Sequence, residues 1–272
     1  MTAEFRSHFR ANGDLPLNRC PLTQSSAASE YVTMPQFIND SRSGTQAISG
    51  TGPMWASCSM LPAVEATVRE LVVSNSPVKR YMLWIDGVGA WQVCLGSSFS
   101  IGAPTFESES ADITLLANIS RQHASIVHEA DQWRVVTDHA TTISGRTVTS
   151  TAGIRSGDQL CLANRVKLGF RIPSVLSSSA VIDFESNHRP EHTVDGIILM
   201  VDHCLLGPRH DQHICCPDWP DVVVLYVQDG MLRCRSAVPL QVDGKPVSDS
   251  APLRHGAIVD GEDLRFRIEE IR

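Results

Sequence analysis

The chain has 272 residues, 42% of them hydrophobic, enough for two average domains each with its own core. Its 23 lysines and arginines face 30 aspartates and glutamates, a net charge of −7, which lacks the basic footprint that binding to a phosphate backbone needs, so no nucleic acid partner is expected. No apolar run reaches the roughly 18 residues that cross a bilayer, and no membrane partner is expected either.

Residues 1–13 carry Glu4, Arg6 and Arg10 and have no apolar core of signal-peptide length, which predicts a cytoplasmic protein. From Thr23 to Ser59 serine, threonine, alanine and glycine dominate without apolar periodicity, and residues 1–60 are expected to form a low-complexity, disordered tail. Pro62 opens a stretch in which Val64, Val68, Leu71 and Val72 recur with the period of one helical face; a short helix and linker are expected over 61–79.

After Pro77 the pattern changes to short runs of strand length. Tyr81 to Ile85 and Ala90 to Leu95 flank the turn residues Asp86-Gly87-Val88-Gly89, which predicts strand, turn, strand. Further strands are expected over Ala124–Val127, Trp133–Val136, Gln159–Leu162 and Val166–Ile172. This spacing predicts an all-β protein of sandwich or barrel type.

An internal repeat sets the domain count. Gly145, Arg146 and Val148 return 99 positions later as Gly244, Lys245 and Val247, and Ile154-Arg155-Ser156-Gly157 returns as Leu253-Arg254-His255-Gly256. Ala124 to Val127 falls opposite Val223 to Tyr226. The alternating ends Val166 to Ile172 and Leu264 to Ile268 also match in kind. Two β-domains are expected, over 80–173 and 174–272, joined near Ser174 to Ser179.

The first copy carries Ile101-Gly102, Asp112-Ile113-Thr114-Leu115, Ser120-Arg121-Gln122-His123-Ala124, Ser144-Gly145 and Gly157-Asp158 in that order. From about Arg80 to Pro173 it resembles the forkhead-associated (FHA) family, whose pattern runs glycine-arginine, Asp-Ile-x-Leu, Ser-Arg-x-His-Ala, Asn-Gly and Gly-Asp. The resemblance implies an eleven-stranded β-sandwich with a recognition surface of loops at one end, and a protein partner. The family's usual ligand is a phosphothreonine peptide, whose phosphate gains most from charge-assisted donors held rigidly. By this resemblance Ser120 and Arg121 would contact phosphate, His123 would brace the loop, and Gly102 and Gly145 would permit backbone turns.

Two departures weaken the ligand more than the fold. The family's arginine after glycine is Ala103, and its asparagine is Ser144. A hydrogen bond to a charged group is worth roughly 1.5 to 3 kcal/mol, so losing that arginine costs about ten- to a hundredfold in affinity. Arg146 and Arg165 are the candidates to compensate from another loop. The function expected first is therefore a non-catalytic adaptor binding proteins through phosphate-independent surfaces, with phosphothreonine recognition through Ser120, Arg121, Ser144 and Arg146 as the alternative.

The second copy is expected to be a strongly divergent FHA-like domain, because the offset puts Trp219 and Pro220 where Ser120 and Arg121 stand. Trp219 is either an exposed interface anchor or packed under its own loop. His203, Cys204, His210, His213, Cys215 and Cys216 cluster without a zinc-ligand spacing; no metal or cofactor is expected, and the cysteines read as reduced core thiols. A hydrolytic enzyme built on Ser120 and His123 stands third, since no phosphate loop, nucleophile elbow or zinc-protease helix accompanies them.

Overall fold

The computed structural model describes residues 78–105 and 110–271. The expected tail over 1–60, and residues 61–77 of the helix and linker expected over 61–79, lie outside the described residues, and Lys79 already belongs to the first strand. The described residues form twenty-two strands and no helix. The first eleven are β1 (Lys79–Ile85), β2 (Gly89–Leu95), β3 (Ser98–Gly102), β4 (Ile113–Thr114), β5 (Ala124–Glu129), β6 (Gln132–Val136), β7 (Thr141–Ile143), β8 (Arg146–Val148), β9 (Thr151–Gly153), β10 (Gln159–Leu162) and β11 (Val166–Arg171). The second eleven are β12 (Ala180–Phe184), β13 (Gly196–Met200), β14 (His203–Gly207), β15 (Ile214–Cys215), β16 (Val223–Gln228), β17 (Met231–Ser236), β18 (Leu240–Val242), β19 (Lys245–Val247), β20 (Ala251–Pro252), β21 (Ile258–Gly261) and β22 (Leu264–Ile271).

The period-2 pattern does what pleating demands. On β11, Val166, Leu168 and Phe170 are buried while Lys167 is exposed, and on β22 Leu264, Phe266 and Ile268 are buried while Arg265 and Arg267 face out. Hairpins close on residues that tolerate positive φ: Ala130-Asp131 (49° and 58°) joins β5 to β6, and Asp229-Gly230 (53° and 71°) joins β16 to β17. Such turns match the right-handed twist of the flanking strands.

The repeat is visible bond by bond. In the first half Thr137 Oγ1 donates to the His123 carbonyl (2.7 Å) and accepts from the His139 N–H (3.0 Å). In the second, Ser236 Oγ donates to the Val222 carbonyl (2.9 Å) and accepts from the Val238 N–H (3.3 Å). The N–H of Gly157 bonds the Phe170 carbonyl as that of Gly256 bonds the Ile268 carbonyl, both at 2.8 Å.

The strands assemble into one 12-stranded sheet, in the order β19-β18-β21-β22-β1-β2-β13-β12-β11-β10-β7-β8, and two five-stranded sheets, β4-β3-β5-β6-β9 and β15-β14-β16-β17-β20. The edge hairpins are exchanged. β1 pairs with β22 of the second half, and β12 pairs with β11 of the first. At the centre β2 and β13 run parallel, from Trp91 opposite Gly196 to Leu95 opposite Met200. Strand pairing and core packing thus run across the 173/174 position, with β1–β2 serving the core of the second segment and β12–β13 that of the first.

This exchange explains why the central strands are apolar on both faces. Tyr81, Leu83 and Ile85 of β1 enter the core that holds Leu206, Leu225 and Phe266. Ala180 and Ile182 of β12 enter the core that holds Phe99, Ile126 and Phe170. Intervening residues serve the opposite core: Met82 joins the first and Val181 the second. Fully burying a side chain of this size contributes about 1.5 to 3 kcal/mol, so each hairpin stabilises two cores at once.

The crossover between the halves is pinned by Asp202. Its carboxylate accepts hydrogen bonds from Ser177 Oγ (2.6 Å), Ser179 Oγ (2.8 Å) and the N–H groups of Ser178 and His203. Burial alone would raise the carboxyl's pKa, but these four donors together hold it below the ordinary carboxylate range.

Candidate functional site

The Ser-Arg-x-His segment lies in the connection from β4 to β5 and is held against the end of β3. The Ala103 N–H donates to the Ser120 carbonyl (3.0 Å), and the His123 N–H donates to the Ile101 carbonyl (2.8 Å). His123 is buried beneath this loop. Its Nδ1 accepts from the Ser120 N–H (3.3 Å) and its Nε2 lies 3.2 Å from the Ala140 carbonyl. Desolvation pushes the imidazole pKa down, offset in part by the Ala140 carbonyl. A neutral ring with Nδ1 as acceptor and Nε2–H as donor satisfies both bonds. His123 therefore ties two loops together and presents no reactive nitrogen.

Gly102 does not make a turn; it permits close approach. A Cβ there would lie 1.7 Å from the Arg121 carbonyl oxygen, inside the backbone of the very loop that carries Ser120 and Arg121. Arg121 is exposed and Ser120 half-buried. These two residues thus stand on a loop whose backbone is held against the end of β3.

Ser144 and Gly145 form the turn from β7 to β8, and Arg146 is the first residue of β8. Ser144 (φ 47°) and Gly145 (φ 79°) both occupy the left-handed region, matched in the second half by Asp243 (51°) and Gly244 (73°). Two such residues in succession close the tight hairpin, which is why glycine recurs there. The Ser144 hydroxyl donates to Asp158 Oδ1 (2.7 Å) and receives the Gln159 N–H (3.3 Å), while Asp158 Oδ2 accepts from the Arg155 N–H (2.8 Å). Asp158 thus bridges the β7–β8 turn and the backbone at Arg155. It engages the Ser144 hydroxyl. The Arg146 and Arg165 side chains are exposed, and neither makes a side-chain hydrogen bond or ion pair among the described residues.

In the second half the corresponding surface is different. Trp219 is not an exposed anchor: it is 5% exposed and stacks on Phe266 with ring centroids 5.9 Å apart. Packing under its own loop removes a large apolar area from water, which outweighs any loop position suggested by its polar neighbours. Arg209, in the loop after Gly207, is paired with Asp211 through two contacts of 3.0 and 3.1 Å. Its charge is already met locally.

Of the His and Cys residues at 203–216, Cys215 Sγ and His210 Nδ1 lie 3.7 Å apart, and no group of three potential ligands gathers among the described residues. Cys204 and Cys216 belong to the second core, and burial pushes the Cys216 thiol up to about 12 and the Cys204 thiol higher still. Cys94 of the first core and Cys234 of the second are raised to about 12 and about 11 for the same reason. Thiols so far from ionisation are packing groups rather than nucleophiles or ligands.

The fold and these loops define an all-β protein of two pseudo-symmetric eleven-stranded halves, with Ser120 and Arg121 displayed by the first. Among solved structures, the chain is similar to the N-terminal FHA domain from EssC, a component of the bacterial Type VII secretion apparatus. That likeness covers 70% of this chain and 94% of the other, at 14% identity and a TM-score of 0.21. No protein-family model matches the chain. No curated protein matches it either.

Proposed function

We propose that this is a non-catalytic, cytoplasmic protein-interaction adaptor whose sandwiches bind partners mainly through phosphate-independent surfaces. The observation that carries the reading is the bond from Ser144 to Asp158 (2.7 Å). It occupies the hydroxyl where the resemblance calls for a peptide contact and adds a carboxylate that would repel a phosphopeptide's charge. Ala103 supports it, because a phosphate beside Ser120 loses one charged donor there. So does the second half, where Trp219 is buried in place of a displayed serine.

The alternative is phosphothreonine recognition by the first half, favoured by the exposed Arg121 and the rigid display of Ser120. One experiment separates the two. Partners captured by the full chain are compared with and without phosphatase treatment, and with Ser120→Ala. The adaptor reading expects capture to survive both. Loss of capture in both arms, with the thermal midpoint unchanged, would overturn it in favour of phosphate recognition.

A further inference from the structure

Loops and strand ends of the second half enclose a hollow of about 360 Å³. Pro220 of the loop entering β16, Val238 and Pro239 of the loop entering β18, Leu240 of β18 and Pro246 of β19 form its apolar wall. Pro246 lies opposite Gln241, and Gln241 opposite Asp260, across β19, β18 and β21. Glu262, in the turn from β21 to β22, stands at the rim. Trp219, buried against Phe266, anchors the chain immediately before Pro220.

The fold does not require this lining. At the offset of 99, Pro220, Val238, Leu240 and Pro246 stand where the first half has Arg121, His139, Thr141 and Thr147. Four polar residues of one half are thus proline or aliphatic in the other, all at one hollow. Asp260 likewise stands in the place of Cys161. Pro220 and Pro246 are exposed and Val238 is half-buried, so core packing does not account for the exchange. Pro246 also blunts the edge strand β19 against strand addition, and a partner meets side chains there rather than an open edge.

The chemistry of the wall selects its occupant. Proline has no N–H, so the three prolines offer carbonyl oxygens and no backbone donor. Asp260 and Glu262 accept as well, and among the lining side chains only the Gln241 amide donates. A phosphate, which needs donors, is disfavoured; a group with donors and no acceptor fits. Charge agrees. Arg265 Nε lies 3.3 Å from Asp260 Oδ1, whereas Glu262 is exposed and has no ion pair among the described residues. Beside them in the chain, Asp221 and Asp263 add to the carboxylates, and Lys245 and Arg265 are the cations. The same sign holds over the whole segment: residues 174–272 carry 16 aspartates and glutamates against nine lysines and arginines, while 80–173 carry eight of each.

We infer that this hollow takes an arginine side chain from an unphosphorylated segment of a partner protein, with its methylene stem on Pro239 and Pro246 and its guanidinium at Glu262. The inference rests on the phosphate-independent reading and supplies the partner's chemistry. A guanidinium is planar, carries five N–H donors and no acceptor, and pairs with carboxylates while its stem covers apolar surface. Because the prolines hold φ fixed, the wall loses little freedom when it is covered.

The test titrates the full chain with a fluorescein-labelled Ala-Leu-Arg-Leu-Ala peptide and with versions carrying citrulline or glutamate for the arginine, read by anisotropy. The arginine peptide should bind at least about tenfold more tightly than the citrulline peptide, the size of one charge-assisted hydrogen bond, and the glutamate peptide should not bind. Glu262→Gln should remove that preference. Glu129→Gln, which takes the same charge from the end of β5, should leave it. Val238→His with Pro246→Thr, residues borrowed from the first half, should weaken the arginine peptide by a similar factor. As a readout that needs no variant, amide NMR shifts of the parent on adding the peptide should centre on Gln241, Gly261 and Glu262. Equal binding of the arginine and citrulline peptides, no binding, a preference that both glutamine variants abolish or neither does, or shifts centred elsewhere overturns the inference. Its failure is separable from that of the adaptor reading. Capture that survives phosphatase while the peptide result fails leaves the adaptor without this site, and phosphatase-sensitive capture overturns the adaptor reading whatever the peptide does.

Discussion

A methyl group on Gly102 would have to displace the Arg121 carbonyl, since the added carbon would lie 1.7 Å from that oxygen. Backbone rather than a flexible side chain would have to move. Gly102→Ala is therefore expected to cost at least about 2 kcal/mol, read as a lower urea midpoint, and to detach the loop that displays Ser120. An unchanged midpoint would contradict the geometry. His213 gives a second prediction at this scale. It is fully buried, its Nδ1 accepts the Leu205 N–H (3.0 Å), and its Nε2 makes no hydrogen bond of ordinary geometry. Desolvation first, then the charges of His203 and Arg171, depress its pKa from 6.5 to about 4, with the Ser179 backbone and Asp202 offsetting the shift only in part. Between those values the unfolded chain holds a proton that the folded chain refuses. Stability from the neutral ring is thus complete above pH 6.5 and declines as pH falls toward 4, by up to about 3 kcal/mol. Comparing urea midpoints at pH 7 and pH 4.5 for the parent and His213→Gln checks this, because the variant should lose much of the difference between the two pH values.

Between elements, the clearest repeated device is the hydroxyl that ties the end of β6 or β17 to the loop entering β5 or β16. Thr137 is buried, and its bonds to the His123 carbonyl and the His139 N–H are 3.0 Å or less. Thr137→Val keeps the shape but leaves a carbonyl and an N–H without that partner, an expected loss of about 1 to 3 kcal/mol. Ser236→Ala, at a half-buried site, should cost less because water replaces the hydroxyl. Denaturant titration of the two variants tests the ordering. Elements of this size also show what could be read beforehand. The strands Gln159–Leu162 and Val166–Arg171 were legible to within a residue because apolar side chains alternate along them. β4, β8, β9 and β20 have two or three residues each, too few for any period to emerge. At the candidate site, the loop from Ser120 to His123 was legible as a motif. The engagement of Ser144 by Asp158 was not, because it depends on how β10 lies beside the β7–β8 turn. Nor was the burial of Trp219, whose flanking Asp218 and Pro220 resemble an exposed loop.

At the scale of the molecule, the exchanged hairpins decide how the halves unfold. The repeat announced two domains, yet pairing of β1 with β22 leaves no signature in sequence, because apolar strands suit either partner. The consequence is energetic. Val93 of β2 and Ile198 of β13 belong to the second core, while Cys94 and Ile197 on the same strands belong to the first. Losing the order of β1–β2 or β12–β13 thus strips apolar surface from both cores. A chain ending at 173 would expose the edge of β11 that β12 covers and would lack Ala180, Ile182, Ile197 and Leu199 from its core. Such a fragment is expected to show no cooperative transition. The full chain, in contrast, is expected to unfold in one step, and it carries its own probes: Trp133 lies in the first core and Trp219 in the second. With the other tryptophans replaced by phenylalanine in turn, both should report the same urea midpoint and the same slope, as cooperative two-state unfolding requires. Two separated midpoints would mean that each half keeps a stable core without the other's hairpin, and the coupling drawn from the strand order would then be wrong.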